Sequence, residues 1–264
     1  MRLLRFCLAC LLLFQSGSAA ALECGSYSVA FYEMGALYYR APDGAWTGID
    51  KDVIDELARR SDCRFEGMVE SRVRIWARLE AGSLDVSVSG IATPEREKIS
   101  RFLPYGASRY YLLMRNSMPE QARSMEGFLA DEHYTLGVVK SFRHGARFDA
   151  FIDKLRAQGR VYEAVDFAAL FQLFRIHRVH AILAAPAIWV PEFKREKIND
   201  DMLVMDWAPN DGVVGALVLS RQRVPEPVAQ LLRATLEKMR KDGTLEAIFR
   251  RHVGAALAAD MMKF

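Results

Sequence analysis

Residues 84–96 hold the feature that most limits the fold of this chain. Residues 84–89 alternate apolar and polar side chains as a strand does, and a Ser/Gly-rich turn follows them. Thr93-Pro94-Glu95-Arg96 then has the composition of a helix start, with Thr93 in the N-cap position. The free N–H groups of a helix start and a neighbouring arginine can together hold an anion. The stretch therefore predicts a strand, a tight turn and a helix that meet at an anion-binding edge.

The rest of the chain alternates strand and helix patterns, which predicts an α/β fold. Near the N-terminus, residues 26–32 and 64–69 have strand patterns. The helix between them opens at Gly48-Ile49-Asp50, with Asp50 as its expected N-cap. A strand, a helix and a strand in this order predict a βαβ unit, in which the two strands are parallel and can be neighbours.

Two cysteines, Cys24 and Cys63, remain once the leader described below is removed, and each directly precedes a strand of this βαβ unit. Equivalent ends of neighbouring parallel strands lie close together, and an exported protein meets oxidising conditions, so we expect a disulfide between them. The crosslink would stabilise the fold by about 4 kcal/mol in the chain-entropy account. Two free thiols are the alternative, and two cysteines so placed do not indicate a metal site.

Two segments are expected to connect two lobes. A strand pattern begins near Arg109 with no helix before it, and turn residues around Pro209 precede another strand. A fresh strand–helix unit lies between them, with its helix expected from about Phe142. We therefore expect a discontinuous first lobe, residues 22–108 and 210–264, with a second lobe, residues 109–209, inserted into it.

Residues 1–21 have the pattern of a secretory signal peptide, with two arginines, an apolar run at 6–14 and a small-residue segment ending near Ala21. A membrane anchor is the alternative, but the apolar run is well short of the ~20 residues that a membrane-spanning helix needs. We expect export to the periplasm with cleavage near Ala21. The formal net charge of +3 falls by two without the leader arginines, so no basic excess indicates nucleic-acid binding.

Together these motifs resemble the type II periplasmic solute-binding proteins, in particular the family 3 extracellular solute-binding proteins that act as amino-acid receptors of ABC transporters. The resemblance rests on Gly48-Ile49-Asp50, Thr93-Pro94-Glu95-Arg96, Pro104-Tyr105 and Asp242-Gly243-Thr244. It implies two lobes, each a mostly parallel sheet flanked by helices, joined by two hinge crossings and closing over a small solute. It also implies a monomer without cofactor or enzymatic activity that delivers its ligand to an inner-membrane ABC permease.

The resemblance further implies which residues bind the ligand. Arg96 takes the position of the family's arginine, which binds a ligand carboxylate through two of its N–H groups. The sequence leaves open whether Arg72 or Arg74 faces the cleft, and Arg74 is the residue that matches the family motif. The complete set of expected ligand-binding residues is Tyr32, Glu33, Arg74, Ser89, Gly90, Thr93, Arg96, Ser141, Phe142 and Arg143, of which the last three are expected to begin a helix of the second lobe.

Two departures from the family pattern bear on the ligand. The aspartate that holds the α-ammonium in amino-acid receptors aligns with Ala184-Ala185-Pro186, where there is no acid, and the turn between Gly90 and Thr93 is one residue shorter. A carboxylate-bearing ligand, either an amino acid or an organic acid, is therefore expected, and the lost acid favours the organic acid.

Two other functions stay open from the sequence. One is an enzyme on the same scaffold, similar to the periplasmic cyclohexadienyl dehydratases, with Glu33 as a proton donor. The other is a sensor that reports ligand occupancy to a membrane receptor. His177 and His180 lack a nearby carboxylate and do not indicate a zinc site.

Overall fold

A computed structural model describes residues 24–196 and 201–264, and the predicted signal peptide, residues 1–21, lies outside them. The strands are β1 (Ser26–Phe31), β2 (Tyr39–Arg40), β3 (Trp46–Thr47), β4 (Arg64–Val69), β5 (Val86–Gly90), β6 (Ser100–Ser108), β7 (Tyr111–Arg115), β8 (Leu136–Val139), β9 (Val161–Ala164), β10 (Ala181–Ala184), β11 (Met202–Met205) and β12 (Val213–Ser220). The helices are α1 (Ile49–Ser61), α2 (Arg72–Glu80), α3 (Pro94–Ile99), α4 (Met125–Ala130), α5 (Ala146–Ala157), α6 (Phe167–Arg175), α7 (Pro186–Glu196), α8 (Glu226–Lys241) and α9 (Thr244–Met261), with a 3-10 helix at Glu120–Arg123. Within these described ranges, no helix is long and apolar enough to cross a membrane.

The strands form two separate five-stranded sheets, one in each lobe. The first has the order β4-β1-β5-β12-β6, and the second has the order β11-β7-β10-β8-β9. Each sheet is mixed, because two of its four strand pairings are parallel and two are antiparallel. The antiparallel pairings involve β6, β7, β11 and β12, the strands on either side of the two chain crossings between the sheets. This architecture confirms the predicted two-lobed α/β fold, but the sheets are mixed and not mostly parallel as the resemblance implied.

The N-terminal βαβ unit has the expected arrangement. Strands β1 and β4 are parallel neighbours, paired from Ser26 with Arg64 onward. Cys24 and Cys63 precede these paired ends, their Cα atoms lie 4.8 Å apart, and they form a disulfide. The predicted crosslink is therefore confirmed.

Helix α1 corrects the prediction made for Asp50. The helix begins at Ile49, its N-cap is Gly48, and Asp50 lies inside the first turn with no exposed surface. Gly48 has a φ of +132°, and a Cβ atom there would lie 2.4 Å from the carbonyl oxygen of Leu37. The chain enters the helix through this close approach, and Asp50 is consequently turned into the protein.

Helix α5 begins later than expected, so the prediction that Ser141, Phe142 and Arg143 start a helix is wrong. Ser141 has a φ of +62°, and the helix begins only at Ala146. The carboxylate of Asp211 accepts N–H bonds from Ala146 and Arg147, at 3.2 and 2.7 Å. The start of α5 is therefore capped by a residue of the return crossing, and residues 141–143 form a turn in front of the helix.

Candidate functional site

The candidate site lies between the two lobes, which are in contact. The N–H of Ala36 donates to the carbonyl oxygen of Ala187 at 2.8 Å. A Cβ atom on Gly35, the preceding residue, would lie only 2.4 Å from the Cα atom of Ile188. Glycine at this position allows the two backbones to approach each other, and the cleft is consequently closed.

Arg72 is the charged side chain most deeply placed in the cleft. It opens helix α2 after the N-cap Ser71, and only 3% of its surface is exposed. Its guanidinium carbon lies 4.8 Å from the centroid of the Tyr32 ring and 5.2 Å from that of Phe142. Nη1 donates to the carbonyl oxygen of Val88 at 3.3 Å, whereas Nε and Nη2 have no partner among the described residues. Burial lowers the pKa of this guanidinium.

Arg74 points away from the cleft. Three quarters of its side chain is exposed, and Nη1 lies 3.6 Å from a carboxylate oxygen of Glu70. The choice that the sequence left open between Arg72 and Arg74 is therefore answered by helix geometry. Residues 72, 75 and 79 share the buried face of α2, and residue 74 lies on the other side.

Arg96 lies at the seam between the lobes. Its Nη1 donates to the carbonyl oxygen of Ile91 and its Nη2 to that of Ser141 in the other lobe, both at 2.9 Å. Its guanidinium carbon lies 3.9 Å from the centroid of the Trp76 ring. Burial, and then repulsion from Arg72 and Arg143, lower the pKa of Arg96 to about 9. Arg72, Arg96 and Arg143 therefore lie close enough to repel one another, and nearby acidic groups do not fully offset this repulsion.

Aromatic rings cover the arginines from both lobes. The ring of Phe142 lies 6.0 Å from that of Tyr32, 5.2 Å from that of Phe167 and 6.4 Å from that of Tyr110, between centroids. Tyr32 is 3% exposed, and its hydroxyl has no partner among the described residues. Tyr32 and Phe142 thus lie on opposite sides of the cleft, with their rings facing each other across it.

A buried hydrogen-bond group holds the turn after β5. The Tyr105 hydroxyl donates to Asp50 Oδ1 at 2.6 Å, the Ser89 hydroxyl donates to the same oxygen at 2.9 Å, and the Ser89 N–H donates to the Tyr105 oxygen at 2.8 Å. Ser89 has a φ of +48°, which these bonds stabilise. Burial, only partly offset by the two hydrogen bonds and by Arg72, raises the pKa of Asp50 to about 6.

The remaining predicted residues fall in different places. Thr93 caps α3, since its hydroxyl accepts the Arg96 N–H at 3.3 Å. Gly90 packs so tightly that a Cβ atom would lie 2.2 Å from a methyl carbon of Val218. Glu33 lines a separate depression with Asp166 and has no contact with the arginines among the described interactions.

Two adjoining cavities occupy the region between the lobes. The smaller is lined by Arg72, Trp76, Ser89, Gly90, Ile91, Arg96, Ser141, Phe142 and Arg143. The larger is lined mainly by apolar side chains, among them Met34, Leu37, Tyr110, Ile188, Val213 and Phe249. Within the described ranges, no group of three or more His, Cys, Asp and Glu side chains could hold a metal ion.

The family is decided by sequence. Residues 32–255 match the sequence model of the bacterial extracellular solute-binding proteins, family 3. The chain belongs to this family. The match covers the second sheet, all of the first sheet except β1, and the cleft residues described above. No curated protein sequence matches the chain.

Solved structures agree with the family in their fold. An ancestral arginine-binding protein bound to arginine superposes with a TM-score of 0.75 at 19% identity, over 88% of this chain and 100% of its own. An ABC uptake transporter substrate-binding protein from Streptococcus pneumoniae with bound histidine gives 0.73 at 15% identity, over 87% and 92%. The ancestral amino acid-binding protein AncCDT-1, a precursor of cyclohexadienyl dehydratase, gives 0.69 at 18% identity, over 87% and 95%. At these identities the likeness concerns the fold alone.

Sequence reasoning missed several site residues. No sequence pattern indicates Trp76 or Tyr110 as cleft residues, and the pattern at Asp50 indicates only a helix cap. Arg72 carried a usable signal, because its spacing of three and seven residues from Ile75 and Leu79 places it on the apolar face of α2. A charged residue on the buried face of a helix indicates either a buried partner or a ligand.

Proposed function

We propose that this family 3 protein captures a small carboxylate-bearing solute between its lobes and delivers it to an inner-membrane ABC permease. The solute is an amino acid or an organic acid, and the chain itself catalyses no reaction. Family membership supports a solute-binding role, and two of the structural neighbours described above were solved with arginine or histidine bound. We further propose that the chain is exported after cleavage of residues 1–21 and acts as a monomer.

The unpaired edge of Arg72 is the observation that carries this proposal. Nε and Nη2 lie on one side of the planar guanidinium, and neither has a partner among the described residues. Leaving two such N–H groups buried without hydrogen-bond partners costs free energy. A ligand that accepts hydrogen bonds from both groups would remove this cost and bind more tightly. Two parallel N–H donors match the two oxygens of a carboxylate.

The charges around Arg72 favour the same ligand. Arg96 and Arg143 line the same small cavity as Arg72. Their mutual repulsion contributes to the lowered pKa of Arg96, and a bound anion would relieve it. No Asp or Glu side chain lines this cavity within the described part of the chain. The charges of the site therefore favour a ligand with an anionic group.

Lobe closure would couple binding to recognition by the permease. Arg72, Ser89 and Arg96 belong to the proposed first lobe (22–108 and 210–264), and Ser141, Phe142 and Arg143 belong to the proposed second lobe (109–209). A ligand held by both sets stabilises the closed arrangement over an open one. The segments between β6 and β7 and between β11 and β12 are the hinges of this motion in our proposal.

The position of Glu33 argues against the dehydratase alternative. A proton donor must lie within hydrogen-bond reach of the bound substrate. Glu33 lines a depression together with Tyr39 and Phe167, whereas Arg72, Arg96 and Arg143 line the small cavity together with Trp76. An anion held by Arg72 would lack this acid, so we propose binding without catalysis.

Thermal unfolding with a ligand panel tests the proposal. The panel contains amino acids, monocarboxylates, dicarboxylates and tricarboxylates at high concentration. A ligand at 100 times its Kd should stabilise the protein by about 2.7 kcal/mol, which corresponds to roughly 5–10 °C for a chain of this length. Arg72→Met should abolish the rise, because each lost charge-assisted hydrogen bond contributes about 1.5–3 kcal/mol.

Arg74→Met is the matched control. It removes the same charge from the same helix but affects a side chain that is three-quarters exposed. The rise should persist in this variant. If no carboxylate raised the unfolding temperature, or if Arg72→Met kept the full rise, the proposed binding role of the cleft would be wrong.

A further inference from the structure

The larger cavity in the cleft defines the body of the ligand. Its walls are almost entirely apolar, and they include Leu37, Ile91, Phe142, Ala185 and Ile188. Mainly apolar walls with a few polar groups are typical of sites for small organic molecules.

The apolar cavity adjoins the arginines. Ser89, Ile91 and Phe142 line both cavities, so they form the boundary that the two share. A molecule with its carboxylate on the free edge of Arg72 can therefore extend its other end past Ile91 and Phe142. The far end would meet side chains of both lobes, such as Leu37 and Ile188.

Neither cavity provides a carboxylate partner for an ammonium group. Within the described residues, no Asp or Glu side chain lines either of them. The position where amino-acid receptors were expected to carry an aspartate is filled by Ala184 and Ala185, which are 0% and 3% exposed. Asp50 lines neither cavity; its Oδ1 accepts hydrogen bonds from Ser89 and Tyr105, and its Oδ2 is buried with no hydrogen-bond partner among the described residues.

From these observations we propose that the cleft binds a monocarboxylate with an apolar aliphatic or aromatic body and no α-ammonium group. The proposal rests on the proposed function of the cleft and names its ligand class. The carboxylate pairs with Nε and Nη2 of Arg72, and the apolar body fills the larger cavity. An ammonium group would be buried near three arginines with no carboxylate among the residues that line the two cavities, which disfavours a zwitterion.

Matched pairs of compounds provide the test by isothermal titration calorimetry. 4-Methylpentanoate and L-leucine share one carbon skeleton and differ by the ammonium group, as do 3-phenylpropionate and L-phenylalanine. At least one ammonium-free acid should bind, and at least about 100-fold more tightly than its amino acid, because an unpaired polar group in a closed site is strongly rejected. Succinate and citrate should bind more weakly than the better monocarboxylate.

Ala185→Asp tests the reason for this preference, with Ala185→Asn as its uncharged control. The aspartate would line the larger cavity and supply the missing counter-ion, so it should reverse the preference within each pair toward the amino acid. The asparagine variant should retain the preference of the unmodified protein. The unfolding temperature of both variants is recorded to verify folding, and the wild-type pairs decide the question without them.

The outcomes separate the two proposals. Tighter binding of L-leucine, L-phenylalanine, succinate or citrate that Arg72→Met abolishes would overturn the ligand class and leave the carboxylate-binding cleft intact. Binding of the monocarboxylates that Arg72→Met leaves unchanged would overturn both. Absence of binding by every compound would overturn the ligand class, and the broad panel of the unfolding experiment would then decide whether the cleft binds a carboxylate.

Discussion

Ionisation of Asp50 should lower the stability of the folded protein as the pH rises, and replacement of Asp50 by asparagine should abolish this effect. The pKa of Asp50 is about 6 in the folded protein, against a usual value of 3.8, because the carboxyl is completely buried. Between these values the folded chain holds a proton that the unfolded chain has lost. The free energy of unfolding therefore falls as the pH rises through this window, and the loss is complete above about pH 6.

The size of the effect follows from the shift. One pKa unit corresponds to 1.36 kcal/mol, so the shift from 3.8 to about 6 predicts a loss of about 3 kcal/mol. The amide side chain of the Asp50→Asn variant has no proton to lose and can still accept hydrogen bonds through its carbonyl oxygen. The variant's free energy of unfolding should therefore lack this component of the pH dependence.

Urea unfolding followed by tryptophan fluorescence measures the difference. Wild type and Asp50→Asn are compared from about pH 4 to about pH 7, so that contributions from all other titrating groups cancel. Asp55→Asn is the control, because Asp55 lies on the same helix with 58% of its side chain exposed. Between these two pH values the stability of wild type relative to Asp50→Asn should fall by about 2.5 kcal/mol, because the unfolded-state carboxyl is already largely ionised at pH 4. A difference that stays constant or increases would refute the assignment of a buried, protonated Asp50.

Three further perturbations have defined outcomes. Cys63→Ser should lower the free energy of unfolding by about 4 kcal/mol, because it removes a crosslink between residues 39 positions apart, and a loss below about 1 kcal/mol would contradict this. Gly35→Ala should keep the lobes apart and weaken ligand binding by about tenfold or more, with a larger radius of gyration in X-ray scattering; Gly44→Ala, at a glycine with open space around it, should change neither quantity. Asp211→Ala should lower the free energy of unfolding by about 1 kcal/mol in urea titrations, because the start of α5 loses its cap, and an unchanged value would show that the cap contributes nothing.

The sequence sufficed where structure depends on neighbouring residues. The strand, turn and helix around Thr93 were predicted because the cap, the proline and the apolar alternation lie within a few positions of one another. The disulfide followed from the parallel pairing of β1 and β4. Both predictions are confirmed.

The sequence failed where the deciding partner is distant. The start of α5 was misplaced because its cap, Asp211, lies 65 residues away from Ala146. Asp50 matched a helix-cap pattern, but Gly48 occupies the cap and Asp50 bonds to Tyr105, 55 residues further on. The residues that line the larger cavity are scattered along the chain between Met34 and Met261, so no local sequence pattern could have indicated this cavity.

A crystal structure of the mature protein with 4-methylpentanoate tests the central claim most directly. We predict one bound molecule between closed lobes, with its two carboxylate oxygens within hydrogen-bond distance of Nε and Nη2 of Arg72 and its isobutyl group in the cavity beside Ile188. A carboxylate bound elsewhere, with Nε and Nη2 of Arg72 still unpaired, would contradict the claim.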